Sequence, residues 1–562
     1  MSRFVRASNY RHVYGSPAKR EMTYENIKIS ASAWDTNLVS ASTKYLAVNY
    51  QSGGGGAFLV TPLDATGKLP DLFPLCRAHS AHVLDTDWSP FNDSLVASAG
   101  EDGRVALTHV DEQILRDALA SEPVVNDLEP TVKFVGHGRK AGHVLWHPTA
   151  DGILASASTD VKVWDVEHQK AAYTSVAHAD MVQSIDWDHQ GSVFATTCKD
   201  KKLRLFDPRA GAEAITTVDS HSGIKGSRVC WMGSLDRIAT TGFSRTSDRQ
   251  LFVWDSRDLS KGPVKTINID QSSGTIMPFW CAGNNFFLTS VLFLAGKGDG
   301  NVRYYEWEND DLFFLSEYSS PQPQRGMTFL PARALNTSEH EIARAFKATG
   351  SMIEPISFFV PRKSEAFQSD LYPPARSDQA ALSAQQWLDG ETRQPNLIDL
   401  KNGQAQKGGL GDKKVYASSP ATPIKPAESA KVTPAATPVP APASAVAPVA
   451  AAPTPTPAAA PAQAPEPVVE RTATPPTPAP ALAAPAPVFE SKPIVETKSN
   501  GVSSSSSSPL STSNNNNDNN NHDEELQDLK RENARLRDEL SERDTFIREL
   551  ELKLERIKAA FN

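Results

Sequence analysis

His137, Ser156, Asp160 and Trp164 carry the side chains that could do chemistry. A histidine, a hydroxyl and a carboxylate are the groups from which acid–base and nucleophilic catalysis are built. The same groups also make buried hydrogen-bonded pins, which are stable only when every member is satisfied. Their setting favours the pin, because the pattern recurs. His79 opens HSAHVLDTDWSP, followed by LVASAGEDGRVAL. His137 lies in GHGRKAGHVLWHP, followed by ILASASTDVKVWD. His178 opens HADMVQSIDWDHQ, followed by VFATTCKDKKLRLFD. His221 leads to VCWMGSLDRIATTGFS and then QLFVWDSRD. Repetition of this kind marks architecture rather than a single active site.

The shared unit is a histidine, a strand ending near tryptophan, a small or hydroxyl residue, an aspartate, an alternating strand and Trp/Phe-Asp. The units start about 40 to 60 residues apart, the WD-repeat signature of four strands per propeller blade. Weaker units at about 33–70, 274–307 and 319–361 bring the count to seven. Short runs such as Leu95-Val96-Ala97-Ser98 and Arg104-Val105-Ala106-Leu107, broken by turn residues, predict an all-β fold. Helical periodicity stays weak until about Glu339 to Lys347. A propeller closes by borrowing a strand from the other terminus, and Phe4 to Tyr14 is the expected closing strand. The third unit is short: Asp160 to Trp164 is two residues less than Asp200 to Phe206. A tightened turn or a deletion accounts for it.

Other chemistry finds little support. Cys76, Cys198, Cys230 and Cys281 have no C-x-x-C spacing, which predicts free thiols in a reducing compartment rather than a disulfide framework or a zinc site. Gly53 to Gly56 and Gly296-Lys297-Gly298 lack the spacing of a phosphate loop and are expected to be tight turns. No metal, cofactor or catalytic set is expected. The formal net charge of −9 gives no reason to expect nucleic acid as a partner. The first residues lack a secretory apolar core and a glycine at position 2, and no apolar run reaches the roughly 18 residues of a membrane span.

Composition divides the chain. Residues 1–361 are expected to form the propeller and 362–400 a C-terminal extension packed on it. Residues 401–522 hold more than half of the 41 prolines, then serine and asparagine runs, and predict a disordered linker, partly polyproline II. Its root-mean-square span is roughly 60 Å. Thr433, Thr437, Thr474, Thr477 and Ser508 each precede a proline, the pattern of proline-directed phosphorylation. Residues 523–562 predict an α-helical coiled coil with a seam of Leu526, Leu529, Asn533, Leu536, Leu540, Arg543, Ile547, Leu550, Leu554, Ile557 and Phe561. Such a stripe predicts self-association, with dimer and trimer both open.

Several stretches resemble the coronin family. Phe4-Val5-Arg6 through Arg11-His12-Val13-Tyr14-Gly15 is similar to its opening motif. Tyr24-Glu25-Asn26-Ile27, Gly53 to Val60, Leu294 to Tyr305, Pro323 to Met327, Val360 to Ser364, Leu371-Tyr372-Pro373-Pro374 and Gln386 to Gly390 follow in the family's order. The resemblance implies a non-enzymatic scaffold in the cytoplasm, at the cortical actin cytoskeleton. It implies filamentous actin and the actin-related protein 2/3 complex as partners, with cofilin in filament turnover. Actin's acidic surface points to basic residues, and Arg3, Arg6, Arg11, Lys19, Arg20 and Lys28 are the candidates. The sequence departs from the family where a basic residue usually follows Ser30: here it is Ala31. The segment between Trp280 and Leu292 is also long for a sixth blade, and an unusual loop or a retained intron fits. The alternative is a WD-repeat adaptor unrelated to actin, oligomerised by its coil.

Overall fold

The short alternating runs pair antiparallel into seven sheets, the blades of a ring. The computed structural model describes residues 8–120, 123–281, 290–411, 414, 416 and 417. Six blades hold four strands each in chain order, a to d from the axis outwards, and only in blade one does another strand, Gly67–Lys68, intervene. Blade one runs from Val39–Ala41 to Leu75–Arg77 and blade six from Ile276–Cys281 to Asp311–Ser319. First strands of neighbouring blades touch around the axis. Both faces of a blade pack on neighbours, so the middle strands read as continuous apolar or small runs. Ile153–Ala157, Phe194–Cys198 and Ser290–Gly296 are buried throughout. The core is therefore a set of slabs between blades. One joins Ala97, Ala99 and Val105 of blade two to Val144, Trp146 and Trp164 of blade three.

Blade seven closes the ring. Gly326–Phe329, Glu341–Ala348 and Met352–Phe359 supply three strands, and Tyr14–Pro17 adds the outer one, with Tyr14 opposite Phe359 and Pro17 opposite Ile356. The closing strand therefore begins where the expected one, Phe4 to Tyr14, was to end. His12 is the reason. Its φ of 66° breaks extended backbone, and Val13 N–H turns back to the Tyr10 carbonyl at 3.2 Å. Tyr10 and Val13 are buried against blades six and seven as anchors. A second correction concerns Glu339 to Lys347. Thr337–Glu339 is one 3-10 turn, and Glu341–Ala348 is the middle strand of blade seven. Pairing on both edges and burial of Ala343, Ala345 and Phe346 override the helical preference of an alanine-rich run.

The short third unit is a tightened turn. Ala157 pairs with Val161 in blade three, whereas Thr197 pairs with Leu203 in blade four, so two fewer residues separate the strands. Gly54, Gly55 and Gly56 have φ between 74° and 84° in the turn between Tyr45–Asn49 and Ala57–Pro62, and Gly298 has φ 80° in the equivalent turn of blade six.

After blade seven the chain crosses the face bearing the a–b turns. Leu382 bridges Ala150, and Trp387 donates its indole N–H to the Gly191 carbonyl at 3.0 Å. Trp387 lies on a five-residue helix, Ala384–Leu388, started by a Ser383–Gln386 capping box. A three-stranded sheet of Ala375–Arg376, Leu397–Ile398 and Ala405–Gln406 follows. The packed segment thus continues to Ala417, beyond residue 400 and into the stretch assigned to the linker by composition. Arg3, Arg6, most of the proline-rich stretch, residues 282–289 and every seam position from Leu526 to Phe561 lie outside the described residues. No helix among the described residues is long and apolar enough to cross a membrane.

Candidate functional site

His137, Ser156, Asp160 and Trp164 meet in one chain of hydrogen bonds. Trp164 donates its indole N–H to Ser156 Oγ at 2.8 Å. Ser156 Oγ lies 2.6 Å from His137 Nε2, and His137 Nδ1 lies 2.9 Å from Asp160 Oδ1. The directions agree if Ser156 O–H donates to Nε2 and Nδ1–H donates to the carboxylate. Burial alone would raise the Asp160 carboxyl, but the His137 hydrogen bond and the nearby Lys162 ammonium hold it below its usual range. The order Ser–His–Asp matches a nucleophilic triad, yet Ser156 is fully buried and its oxygen is capped by an indole. No face of the hydroxyl is open to a substrate. The network ties the d–a connection to the b–c turn of one blade.

Other blades vary the pin. Blade two keeps His79 on Asp102 at 3.0 Å and on Ser98 at 2.9 Å. In blade five His221 and Trp254 share Thr240 at 3.0 and 2.9 Å. At blade six an arginine from blade five stands in: buried Arg249 bonds Asp270 and Asp299, each at 2.6 Å.

The basic residues expected to meet actin scatter along the entry strand. Arg11 is exposed in the turn before the closing strand, and Lys19 is exposed beside the 3-10 turn Arg20–Met22. Arg20 pairs with Glu25 at 3.0 Å. Lys28 is exposed, and its backbone carbonyl accepts from Gln51 N–H at 2.7 Å. Ala31 is exposed beside it, its N–H on Gln51 Oε1 at 2.8 Å.

From Lys28 the chain runs across the channel mouth, and sequence reasoning missed this crossing. Arg325 of blade seven holds the Ser30 carbonyl at 2.5 Å. Trp34 donates to the Gly142 carbonyl at the start of blade three at 2.9 Å. Asp35 pairs with Lys297 of blade six at 2.9 Å, and its carbonyl accepts from Arg228 of blade five at 2.8 Å. Burial alone would raise the Asp35 carboxyl; the charges of Arg228 and Lys297 outweigh it and hold it down at about 2. The crossing is thus tied to blades three, five, six and seven. The only sequence signal was a Trp-Asp pair, Trp34-Asp35, outside the repeat register.

The d–a connections and b–c turns emerge on this same face and carry cations. Lys140 stands 4.2 Å from the Trp34 ring centroid. Lys225 donates to the Ser273 carbonyl at 3.2 Å, Lys201 to the Ser222 carbonyl at 2.9 Å, and Arg139 and Arg245 are exposed. Ile224, beside Lys225, is 84% exposed. A cationic face with an apolar point suits docking on an acidic protein surface.

Comparison with known proteins decides the family. A domain of unknown function matches residues 3–68, the WD domain, G-beta repeat matches 73–107 and 170–207, and a type of WD40 repeat matches 353–395. Coronin-like protein crn1 of Schizosaccharomyces pombe is 48% identical over 421 residues, 74% of this chain and 68% of that protein. The chain belongs to the coronin family. The coronin-like protein of Saccharomyces cerevisiae is 45% identical over 406 residues, 71% of this coronin and 61% of that relative, under two thirds of its length. The crystal structure of the WD40 domain from Toxoplasma gondii coronin superposes with a TM-score of 0.63 at 30% identity, over 69% of this chain and 97% of that one.

The channel and the extension each border an open-sided space among the described residues of this coronin. The channel holds a cavity of about 210 Å³, lined by Asp85, Asp87, His143, Asp186 and Arg228 among others. Burial pushes the Asp87 and Asp186 carboxyls up to about 7, although Trp146 and Trp231 donate backbone N–H groups to them at 2.8 and 2.6 Å. A larger cavity of about 540 Å³ lies between the a–b turns and the extension, among Trp88, Trp146, Trp187 and Trp231. Among the described residues no group of three or more His, Cys, Asp or Glu could hold a metal ion.

Proposed function

We propose that this coronin is an actin-filament-binding scaffold that acts by binding rather than catalysis, at the cortical actin cytoskeleton of the cytoplasm. The observation that carries the reading is family membership along the whole propeller, joined to a cationic face around the channel mouth. On this reading Lys28, Lys140 and Lys225 meet the filament, with Trp34 among them. The coiled coil joins copies, and the linker lets each propeller engage a different subunit, so that filaments are bundled by avidity. The coil and adjoining linker contact the actin-related protein 2/3 complex and modulate branched nucleation, and cofilin shares in filament turnover.

The test is filament co-sedimentation of the full chain, the triple variant Lys28→Glu/Lys140→Glu/Lys225→Glu, and a chain ending at residue 432, beyond Ala417. The reading expects strong pelleting of the full chain, loss of about tenfold or more in affinity for the triple variant, and weak, salt-sensitive pelleting of the truncation. A folded full chain that fails to pellet sinks the actin assignment and turns attention to an adaptor role.

A further inference from the structure

The chain ends its described course in a slot between blades four and five, on the face covered by the extension. Tyr416 packs there on the cluster of Val193, Trp231, Ile238, Trp254 and Leu259. Lys414 reaches Asp236 at 2.8 Å. Ala417 N–H donates to the Arg257 carbonyl at 2.8 Å, and its own carbonyl accepts from Thr216 Oγ1. Asp188, Asp207 and Asp236 surround the phenol closely enough to raise its pKa further, beyond the effect of burial. Upstream, Gly411 N–H donates to the Thr392 carbonyl at 2.9 Å, which keeps the segment tethered.

These contacts divide as in peptide recognition. Backbone bonds fix register, an apolar slot takes one ring, and an acidic rim takes the cation two positions before it. A linker that needed only to be led away would not need all three. We propose that this slot is a peptide-recognition site for a Lys-x-Tyr-small segment, held closed in cis by Lys414, Tyr416 and Ala417, and that a partner protein carrying such a segment binds by displacing it. The tether gives the cis segment an effective concentration on the order of mM. A competitor therefore sees the slot only in the fraction of molecules where the cis segment is released, and its apparent affinity falls by that fraction. The proposal does not depend on actin binding.

The probe is a fluorescent peptide of residues 411–419, Gly-Asp-Lys-Lys-Val-Tyr-Ala-Ser-Ser, titrated into the full chain. Lys414→Glu/Tyr416→Ala empties the slot and should bind the peptide at least tenfold more tightly than the natural chain, with Lys414→Glu alone intermediate. The added change Asp236→Lys, or a peptide with alanine for the tyrosine, should remove binding. Circular dichroism and the thermal midpoint establish that each variant is folded. If the single Lys414→Glu chain is folded yet takes no more peptide than the natural one, the proposal fails. It fails equally if binding ignores Asp236 and the tyrosine, since the slot is then an intramolecular anchor only.

Discussion

Trp34 gives its indole N–H to the Gly142 carbonyl, 108 positions away, across the mouth of the channel. The contact requires glycine. A Cβ at position 142 would lie 2.4 Å from Trp34 Cζ2, well inside van der Waals distance. Gly142→Ala should evict the indole and take the Lys140 ammonium away from its ring. We expect a loss of about 1–3 kcal/mol in denaturant unfolding, with weaker actin pelleting matched by Trp34→Ala. Unchanged pelleting in both variants would remove Trp34 from the binding face.

The blade-three pin makes a graded prediction. Ser156→Ala leaves two buried groups without partners, the Trp164 N–H and His137 Nε2. Ser98→Ala in blade two strands only His79 Nε2. An orphaned buried polar group costs about 1–3 kcal/mol. Ser156→Ala should therefore lower the unfolding free energy by more than Ser98→Ala does, by about 1–2 kcal/mol. Equal losses would show that the indole bond adds nothing.

The repeat period, the seven blades and the four members of the blade-three pin were legible because they rest on local spacing. His137 to Ser156 and Asp160 lies within one unit, so sequence order nearly gives spatial order. The closing strand slipped because His12 adopts left-handed backbone, which no alternation pattern marks. Glu341–Ala348 was misread because an alanine-rich strand in the middle of a sheet has no strand signature of its own. The channel mouth stayed hidden because Trp34 and Asp35 meet partners more than a hundred residues away in blades three, five and six. Of the basic candidates, Arg20 is matched by Glu25, whereas Lys140 and Lys225, which were not among them, sit in turns that look like ordinary solvated loops.

Arg249 holds blades five and six together where a histidine pin is missing. Its side chain is 1% exposed, and it neutralises Asp270 and Asp299 at once. Replacing it with methionine leaves Asp299 without its cation and Asp270 with Arg303 alone, at 2.8 Å. Breaking a buried pair in this way costs about 3–5 kcal/mol. Arg249→Met should show that loss, and Arg249→Met/Asp299→Asn should recover part of it. A double variant no better than the single one would mean that packing of the arginine stem, rather than its charge, carries the effect.

Asp186 gives the fold a pH dependence whose sign follows from its setting. Burial pushes its carboxyl up to about 7; the N–H groups of Trp231 and Trp187 pull the other way without overcoming it. In the unfolded chain an aspartate titrates near 4. The folded form thus holds the proton more tightly, and this favourable contribution is full below about pH 4 and lost as pH rises through 7. Three pKa units correspond to about 4 kcal/mol. The carboxyl faces the channel cavity, where water screens it, so about 1–2 kcal/mol is the expected net effect. Asp186→Asn keeps an oxygen for the Trp231 N–H and removes the charge. Its unfolding midpoint should match that of the natural chain at pH 4 and exceed it at pH 8. A variant less stable at pH 8 would mean that the ionised carboxylate is favoured in the channel, with Arg376, whose charge lowers the Asp186 pKa, then the leading candidate for its counter-charge.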